Sequence, residues 1–395
     1  MKTSKTALFI LLCAGMPSLL GTAAVAPVLD LIKEAFSAPE MVVNLVLTLP
    51  PLATAISGFF IGTLSDKIGR VKVLCTALAV FGLSGVSGFF LENIYAIIAC
   101  RLVLGVSIAG LLPMVTALIT EYYSEPLRSK YLGYMATANG IGTMILQTAC
   151  GALASIGWRY SFLIYLLGLI ILPFVIIKIR EPEKVNNTTV TDDTVKPAKL
   201  TTYLLIYGSM VLIALLMYIC AVNLSYYLGG FSSEISPLWT GLLLGLFGLC
   251  SAASGFIFWR FAKRFSHMEI FSIVFLIEAI GLFLIAATEY LLPIAIGLIF
   301  VGFGLGLAIP NGSAWIGKIT PSNVLGKYVS GVTVSVFVGL FLTTFVGPAI
   351  LSFVGEGNYA LMYTIAGISG CCLALIWFIT GNKLKKRTKR EIDKT

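Results

Sequence analysis

The sequence predicts an all-α integral membrane protein with about twelve transmembrane helices, arranged as two six-helix repeats. Three observations support this fold class. Of the 395 residues, 58% are hydrophobic and 11% are charged, which leaves too little polar surface for a soluble domain. Apolar runs of about 20 residues recur along the chain, and each is long enough to cross a bilayer. Lys and Arg residues are concentrated in alternate connectors between these runs.

The apolar runs are continuous and do not alternate with polar residues, so they predict helices and exclude a β-barrel. In the first half the predicted helices cover roughly residues 6–33, 41–64, 71–91, 95–120, 129–154 and 158–178. In the second half they cover roughly residues 201–230, 237–260, 268–288, 291–317, 325–353 and 357–380. The predicted domains are a first half (1–180), a cytoplasmic linker (181–200), a second half (201–380) and a basic cytoplasmic tail (381–395).

The positive charges predict the orientation of the chain. One side of the membrane holds both termini, the linker, and the connectors with Lys67, Arg70, Lys72, Arg128, Lys130, Arg260, Lys263, Arg264, Lys318 and Lys327. The opposite connectors hold chiefly Lys33 and Arg159. This asymmetry predicts a multi-pass cell-membrane protein with both termini in the cytoplasm and the first helix retained. It also explains the net charge of +9 without nucleic-acid binding.

The two halves contain matching residues at a constant spacing, which indicates an internal repeat. At an offset of 197 residues the matches are Gly105 with Gly302, Pro113 with Pro310, Lys130 with Lys327, Tyr131 with Tyr328, and Gly142 with Gly339. Because these matches follow the same order in both halves, they favour two related six-helix repeats. Carriers built in this way bind their substrate near the middle of the membrane.

The connector after the second predicted helix reads GTLSDKIGR, from Gly62 to Arg70. It resembles the loop signature G-x-L-x-D-R-x-G-R of the major facilitator superfamily, with Lys67 in place of the first Arg. The resemblance implies that Gly62, Asp66, Lys67, Gly69 and Arg70 form a conformational latch. In such a latch the acid is expected to face a helix N-terminus in the other half and to hold the cytoplasmic side closed. The alternative is a positively charged anchor with a tight turn.

The pattern is closest to the twelve-helix drug and metabolite:proton antiporters of that family. The sequence W-R-Y-S-F, from Trp158 to Phe162, matches their W-R-x-x-F. The Gly-Pro pair that often precedes it is replaced by Leu146 and Gln147, which leaves the direction of transport open.

Arg101 and Gly105 match the R-x-x-x-G core of another family motif in the fourth predicted helix. A basic residue inside a membrane span normally faces a bundle interior or a wet cavity. Arg101 is therefore a candidate for anion binding or proton coupling. The alternative is that its side chain extends to the outer headgroups.

Polar and aromatic residues inside the spans are the other candidates for contact with a substrate. They are Asn139, Gln147, Asn223, Asn311 and Trp315. The amides are costly in hydrocarbon unless they are paired, so they could equally bond neighbouring helices. Tyr226 and Tyr227 are expected at the membrane interface, and the alternative is that they stack on an apolar or ring-bearing substrate.

Acidic residues matter because proton-coupled carriers need a group that titrates along the transport path. Asp30, at the outer end of helix 1, could serve as this group, pair with Arg101, or cap the helix in water. Glu121, near the inner end of helix 4, is a second candidate. Glu278 lies in the middle of helix 9, without an assigned role.

These features predict a secondary transporter that exports a small amphiphilic or hydrophobic molecule, coupled to H⁺. An importer or exchanger of a small organic anion is the alternative. No nucleophile–base pair, metal-ligand cluster or cofactor motif is visible, so an enzyme or a metal site is not expected. The predicted partners are the lipid bilayer, the small-molecule substrate and H⁺, and the expected oligomeric state is a monomer.

Overall fold

A computed structural model of the chain describes residues 5–123, 127–182, 199–231, 236–321 and 324–392. Every regular element in these ranges is a helix, which confirms the predicted all-α class. The first eight α-helices are α1 (Lys5–Ala23), α2 (Leu29–Phe36), α3 (Glu40–Ile68), α4 (Arg70–Val86), α5 (Ile94–Ile108), α6 (Leu112–Tyr122), α7 (Leu127–Ala154) and α8 (Leu166–Lys178). The remaining six are α9 (Leu200–Gly229), α10 (Pro237–Arg264), α11 (His267–Ala286), α12 (Leu291–Ile319), α13 (Leu325–Val354) and α14 (Tyr359–Ile392). Short 3₁₀ helices occur at Ala26–Val28, Ser87–Phe89 and Trp158–Tyr165.

Proline explains why two predicted helices are wrong in their continuity. The predicted helix 6–33 is interrupted after Ala23, because Pro27 lies within a 3₁₀ turn (Ala26–Val28) in which the Val28 N–H donates to the Val25 carbonyl at 3.0 Å. The predicted helix 95–120 divides into α5 and α6, and Pro113 lies in the first turn of α6, where its missing N–H is not needed.

Ten segments of the described residues are long and apolar enough to cross a membrane. They correspond to α3, α4, the α5–α6 pair, the 3₁₀ segment with α8, and each helix from α9 to α14. The two other long helices, α1 and α7, occupy the positions of the first and fifth predicted spans.

The chain divides into two compact units. The first unit comprises Met1–Thr188 with Leu224–Gly245, and in it α3 packs against α5, α4 against α8, and α1 against α7. The second unit comprises Thr189–Asn223 with Leu246–Thr395, and in it α11 packs against both α12 and α14.

One glycine contact occurs in both units at the predicted 197-residue offset. A Cβ added to Gly105 would lie 2.3 Å from the carbonyl oxygen of Pro50, inside the first unit. A Cβ added to Gly302 would lie 2.4 Å from the carbonyl oxygen of Phe247, inside the second unit. Phe247 stands 197 residues after Pro50, so both members of the contact repeat. In each unit glycine lets one helix backbone approach another closely.

Candidate functional site

The turn between α3 and α4 requires glycine at position 69. Gly69 has a φ of +105°, and its N–H donates to the Ser65 carbonyl at 3.0 Å, which ends α3. A side chain is strained at this φ. A Cβ at Gly69 would also lie 2.9 Å from the Glu181 carboxyl group. Gly69 is therefore needed both for the backbone turn and for the close approach of Glu181.

Arg70 is the centre of the ionic cluster at this turn. Its Nη2 atom lies 2.8 Å from Glu121 Oε1 and 3.9 Å from Asp66 Oδ1. Asp66 is 73% exposed, and Lys67 is exposed in the last turn of α3. Glu121, a candidate proton carrier from the sequence, thus pairs with the basic residue of the loop signature. We name Asp66, Arg70, Glu121 and Glu181 the inner cluster.

Glu181 was not among the residues singled out from the sequence, although it is the member of the inner cluster that bonds to the backbone of α4. Its two carboxylate oxygens accept hydrogen bonds from the backbone N–H groups of Arg70, at 2.5 Å, and Val71, at 2.9 Å. These are the first N–H groups of α4, where a carboxylate is stabilised by the helix dipole. The available signal was an acid placed just after the sixth predicted span.

We expect Glu181→Ala to lower the free energy of unfolding by about 1 kcal/mol, the usual cost of losing a helix N-cap. Glu181→Gln should cost less, because an amide oxygen still accepts one hydrogen bond. Thermal unfolding of the purified protein in detergent measures both effects. Glu92→Ala is the matched control. Glu92 is 82% exposed, and its ion pair with Arg159 at 3.6 Å is of the surface kind that adds little stability. Equal shifts for the Glu181 and Glu92 variants would contradict the capping role.

A second polar cluster in the first unit joins α2 and α3 to the end of α9. The Ser225 hydroxyl donates to the Pro27 carbonyl at 3.2 Å and accepts from the Asp30 N–H at 3.4 Å. The Tyr226 hydroxyl donates to Asn44 Oδ1 at 3.0 Å. We name Asp30, Asn44, Ser225 and Tyr226 the outer cluster.

Tyr226 and Tyr227 are buried in the last turns of α9. The Tyr226 hydroxyl has a buried hydrogen-bond partner, Asn44, and therefore does not need water. Lys33, which forms an ion pair with Glu40 at 2.6 Å, lies over the Tyr226 ring at 5.4 Å from its centroid.

Asp30 is half-buried and lies between the apolar segments Thr6–Ser18 and Glu40–Gly58. Burial, with a smaller contribution from the Glu34 carboxylate, raises the pKa of Asp30 to about 6. Asp30 Oδ2 also lies against Gly229, where an added Cβ would meet it at 2.2 Å. A carboxyl group with this pKa changes its protonation state near neutral pH.

Arg101 is buried inside the first unit, with 1% of its surface exposed. Its guanidinium carbon lies 4.7 Å from the Phe162 ring centroid and 4.6 Å from the Tyr165 ring centroid. The Nη1 and Nη2 atoms have no hydrogen-bond partner within the described part of the chain. This geometry does not support the alternative in which Arg101 extends to the headgroups. It leaves a buried cation whose donors are able to bind an anion.

Asn139 and Gln147, the two candidates on α7, are both buried in the first unit. Asn139 Oδ1 and Gln147 Oε1 have no hydrogen-bond partner among the described residues. Asn223, in the second unit, donates from Nδ2 to the Ile219 carbonyl at 2.8 Å, one turn earlier in its own helix. Its Oδ1 atom lacks a partner in the same ranges.

Asn311 and Trp315 pack with the only histidine of the chain in the second unit. Asn311 Oδ1 lies 2.8 Å from His267 Nδ1, and its Nδ2 donates to the His267 carbonyl at 3.0 Å. Trp315 stacks on the His267 ring, with centroids 5.7 Å apart and planes at 10°, and contacts Trp377 at 6.0 Å. These contacts give both residues a packing role within the unit.

Glu278 is fully buried in α11, and a Cβ added to Gly304 of α12 would lie 2.8 Å from its Cγ atom. Neither carboxyl oxygen has a hydrogen-bond partner in the described ranges. In those ranges no group of three or more His, Cys, Asp or Glu side chains is arranged to hold a metal ion.

Three relatives share parts of the sequence. The sialic acid transporter NanX of Escherichia coli is 27% identical over 36% of this chain and 36% of its own length. The bacillibactin exporter of Bacillus subtilis is 32% identical over 36% of this chain and 37% of its own length. Those matches span about a third of each relative. The quinolone resistance protein NorA of Staphylococcus aureus is 25% identical over 72% of this chain and 75% of its own length.

The fold is shared with a crystal structure of a bacterial homologue of the human lysosomal transporter Spinster, in an inward-facing and occupied conformation. The TM-score is 0.77, with 15% identity over 95% of this chain and 96% of that chain. Residues 11–235 and 210–395 both match the family model described as Major Facilitator Superfamily. The chain therefore belongs to the major facilitator superfamily.

Proposed function

We propose that this transporter exports a small amphiphilic or hydrophobic molecule by alternating access, in exchange for protons. The observation that carries the proposal is the match to the quinolone resistance protein, which extends over 72% of the chain. The match to the bacillibactin exporter agrees with it. A low share of charged residues, 11%, suits a path for apolar cargo.

The inner cluster supports the alternating-access part of the proposal. Arg70 is held by Glu121, while Asp66, 73% exposed, is able to face a helix N-terminus when the cytoplasmic side closes. We expect Asp66→Asn to reduce the transport rate at least several-fold, because the amide loses its charge–dipole attraction. Lys72→Gln is the control for a general effect of charge near this turn, since Lys72 is exposed in α4 and lies outside the predicted latch. An unchanged rate in Asp66→Asn would leave the cluster as a structural anchor.

Asp30 is our candidate for the group that senses protons. Its pKa of about 6 places its change of charge within the range in which a proton gradient acts. We expect the wild-type transport rate to change most steeply between pH 5 and 7, and Asp30→Asn to flatten that profile. Glu34→Gln is the matched control, since it removes a neighbouring carboxylate and lowers the pKa of Asp30 only slightly. A profile unchanged in Asp30→Asn would remove Asp30 from the coupling mechanism.

Direction and coupling are tested together in proteoliposomes of uniform orientation, loaded with a pH-sensitive dye. The probes are fluorescent amphiphilic dyes added at the cytoplasmic face. If the protein is an exporter, the amphiphilic dye should accumulate on the side of the membrane opposite the cytoplasmic face when that side is acidic. Protons should then move toward the cytoplasmic face. The proposal would be overturned if accumulation of the amphiphilic dye did not depend on the proton gradient, or if the dye accumulated on the cytoplasmic side.

A specific observation favours a second candidate, import or exchange of a small organic anion. Arg101 is buried, its guanidinium lies over two aromatic rings, and two of its nitrogen atoms have no hydrogen-bond partner in the described ranges. A carboxylate could take both hydrogen bonds. The match to a sialic acid transporter is in line with this candidate. Counterflow of a labelled carboxylate through the same proteoliposomes separates it from export of apolar cargo.

A further inference from the structure

An apolar groove lies on the second unit between the first half of α9 and the last turns of the apolar part of α14. Its volume is about 260 Å³. The lining side chains include Leu204, Leu205 and Leu212 of α9 and Ile376 and Trp377 of α14. Leu204 and Ile376 are more than half exposed, so the groove is open on one side.

The two hydroxyl groups in the groove are already occupied. Ser209 donates to the Leu205 carbonyl at 2.8 Å, and Thr380 donates to the Ile376 carbonyl at 2.7 Å. Each hydroxyl therefore bonds its own helix and offers no free donor to a ligand. The groove surface is consequently suited to a hydrocarbon chain, and it lacks the convergent polar groups that fix a polar ligand.

Basic residues come shortly after the groove-lining residues of α14 in the sequence. α14 continues as a single helix to Ile392, and its 34 residues extend about 51 Å at 1.5 Å per residue. That exceeds the hydrocarbon thickness of about 30 Å, so the last turns of α14 leave the membrane core. Six of the eight residues in 383–390 are Lys or Arg. Lys199, exposed immediately before α9, adds a charge at the same end of the groove.

We propose that this groove, with the basic end of α14, is a binding site for an anionic phospholipid. One acyl chain lies along α9 and α14 in the groove, and the phosphate headgroup lies at the end of α14 whose sequence is rich in Lys and Arg. The charge complementarity selects the headgroup, since clusters of basic residues next to a membrane span attract anionic lipids. The site belongs to the leaflet that faces the C-terminal tail.

Gly208 allows the groove to be filled without disturbing the helix packing. A Cβ at Gly208 has no heavy atom within 4 Å, so a larger side chain enters open space. Gly208→Leu should therefore occupy the acyl-chain position while preserving the fold. Gly58→Leu is the matched control, because Gly58 of α3 also has no heavy atom within 4 Å of an added Cβ.

The experiment measures lipids retained by the purified full-length protein after reconstitution in vesicles of equal phosphatidylglycerol and phosphatidylcholine. Native mass spectrometry then counts each lipid. We expect the wild type and Gly58→Leu to retain phosphatidylglycerol several-fold over phosphatidylcholine. Gly208→Leu should lose most of the retained lipid. The triple variant Lys385→Gln, Lys386→Gln and Arg387→Gln should retain both lipids equally, because only the headgroup preference is removed.

Thermal unfolding in lipid-free detergent keeps the test independent of folding, since all variants should unfold at similar temperatures. Equal retention of the two lipids by the wild type would overturn the proposal. Lipid retention in Gly208→Leu that matches Gly58→Leu would also overturn it. If Gly208→Leu instead lowered only the binding of transported dyes, the groove would belong to the cargo.

Discussion

Replacing Gly105 with alanine should strongly destabilise the protein. The added Cβ would lie 2.3 Å from the Pro50 carbonyl oxygen and 2.7 Å from the Ala53 Cβ. The obstacle is backbone and cannot rotate away. The Thr54 hydroxyl also donates to the Gly105 carbonyl at 2.8 Å, which holds the two helices together. Overpacking of this kind costs about 1–3 kcal/mol, more than alanine gains in helix propensity.

The measurement is the thermal unfolding midpoint in detergent, and the internal repeat supplies a second copy of the experiment. Gly302→Ala should lower the midpoint comparably, because its Cβ would meet the Phe247 carbonyl at 2.4 Å. Gly133→Ala is the matched control, since no heavy atom lies within 4 Å of its added Cβ, and it should leave the midpoint unchanged or raise it. A midpoint in Gly105→Ala equal to that of Gly133→Ala would contradict the close approach.

Replacing Arg101 with methionine should abolish transport while leaving thermal stability unchanged or higher. A buried guanidinium whose Nη1 and Nη2 atoms have no hydrogen-bond partner among the described residues carries a desolvation cost, and removing its charge relieves that cost. The flexible apolar methionine side chain still packs against Phe162 and Tyr165. A loss of transport in the Arg101→Met variant would then result from the missing charge and not from unfolding.

Arg101→Lys provides the decisive comparison. Lysine keeps the charge, but it lacks the planar group that stacks between two rings and binds a carboxylate with two bonds. We therefore expect Arg101→Lys to recover little transport and to be less stable than Arg101→Met. Initial rates in proteoliposomes and unfolding midpoints measure the two effects. Full transport by Arg101→Met would remove Arg101 from the transport mechanism and leave it a packing residue.

The inner cluster illustrates how far sequence reasoning reaches. The loop from Gly62 to Arg70 was recognised because its residues are adjacent in the chain and their spacing is a local property. Glu181, 111 residues after Arg70, was missed because its partners are backbone N–H groups, which leave no side-chain pattern to match. The pairing of Glu121 with Arg70 likewise depends on how α4 and α6 pack, and helical periodicity does not encode it.

The outer cluster shows a similar division. An acid at position 30 could be identified as a candidate, but its pKa of about 6 depends on burial and on the Glu34 carboxylate. The contact of Asn44 with Tyr226 joins residues 182 positions apart, so only the packed structure reveals it. The enrichment of aromatic residues near membrane surfaces is an average, and it does not reveal that the Tyr226 hydroxyl has one particular buried partner.

The sequence by itself determined the membrane class, the helical fold, the loop signature, and the repeat that links Gly105 with Gly302. These properties follow from hydrophobicity summed over about 20 residues and from local spacing, and both are legible along a single chain. Only the tertiary structure decided that Arg101 lies between two aromatic rings, that Glu181 caps α4, and that Trp315 packs on His267. Those contacts join distant positions, and which polar groups meet depends on how the helices pack.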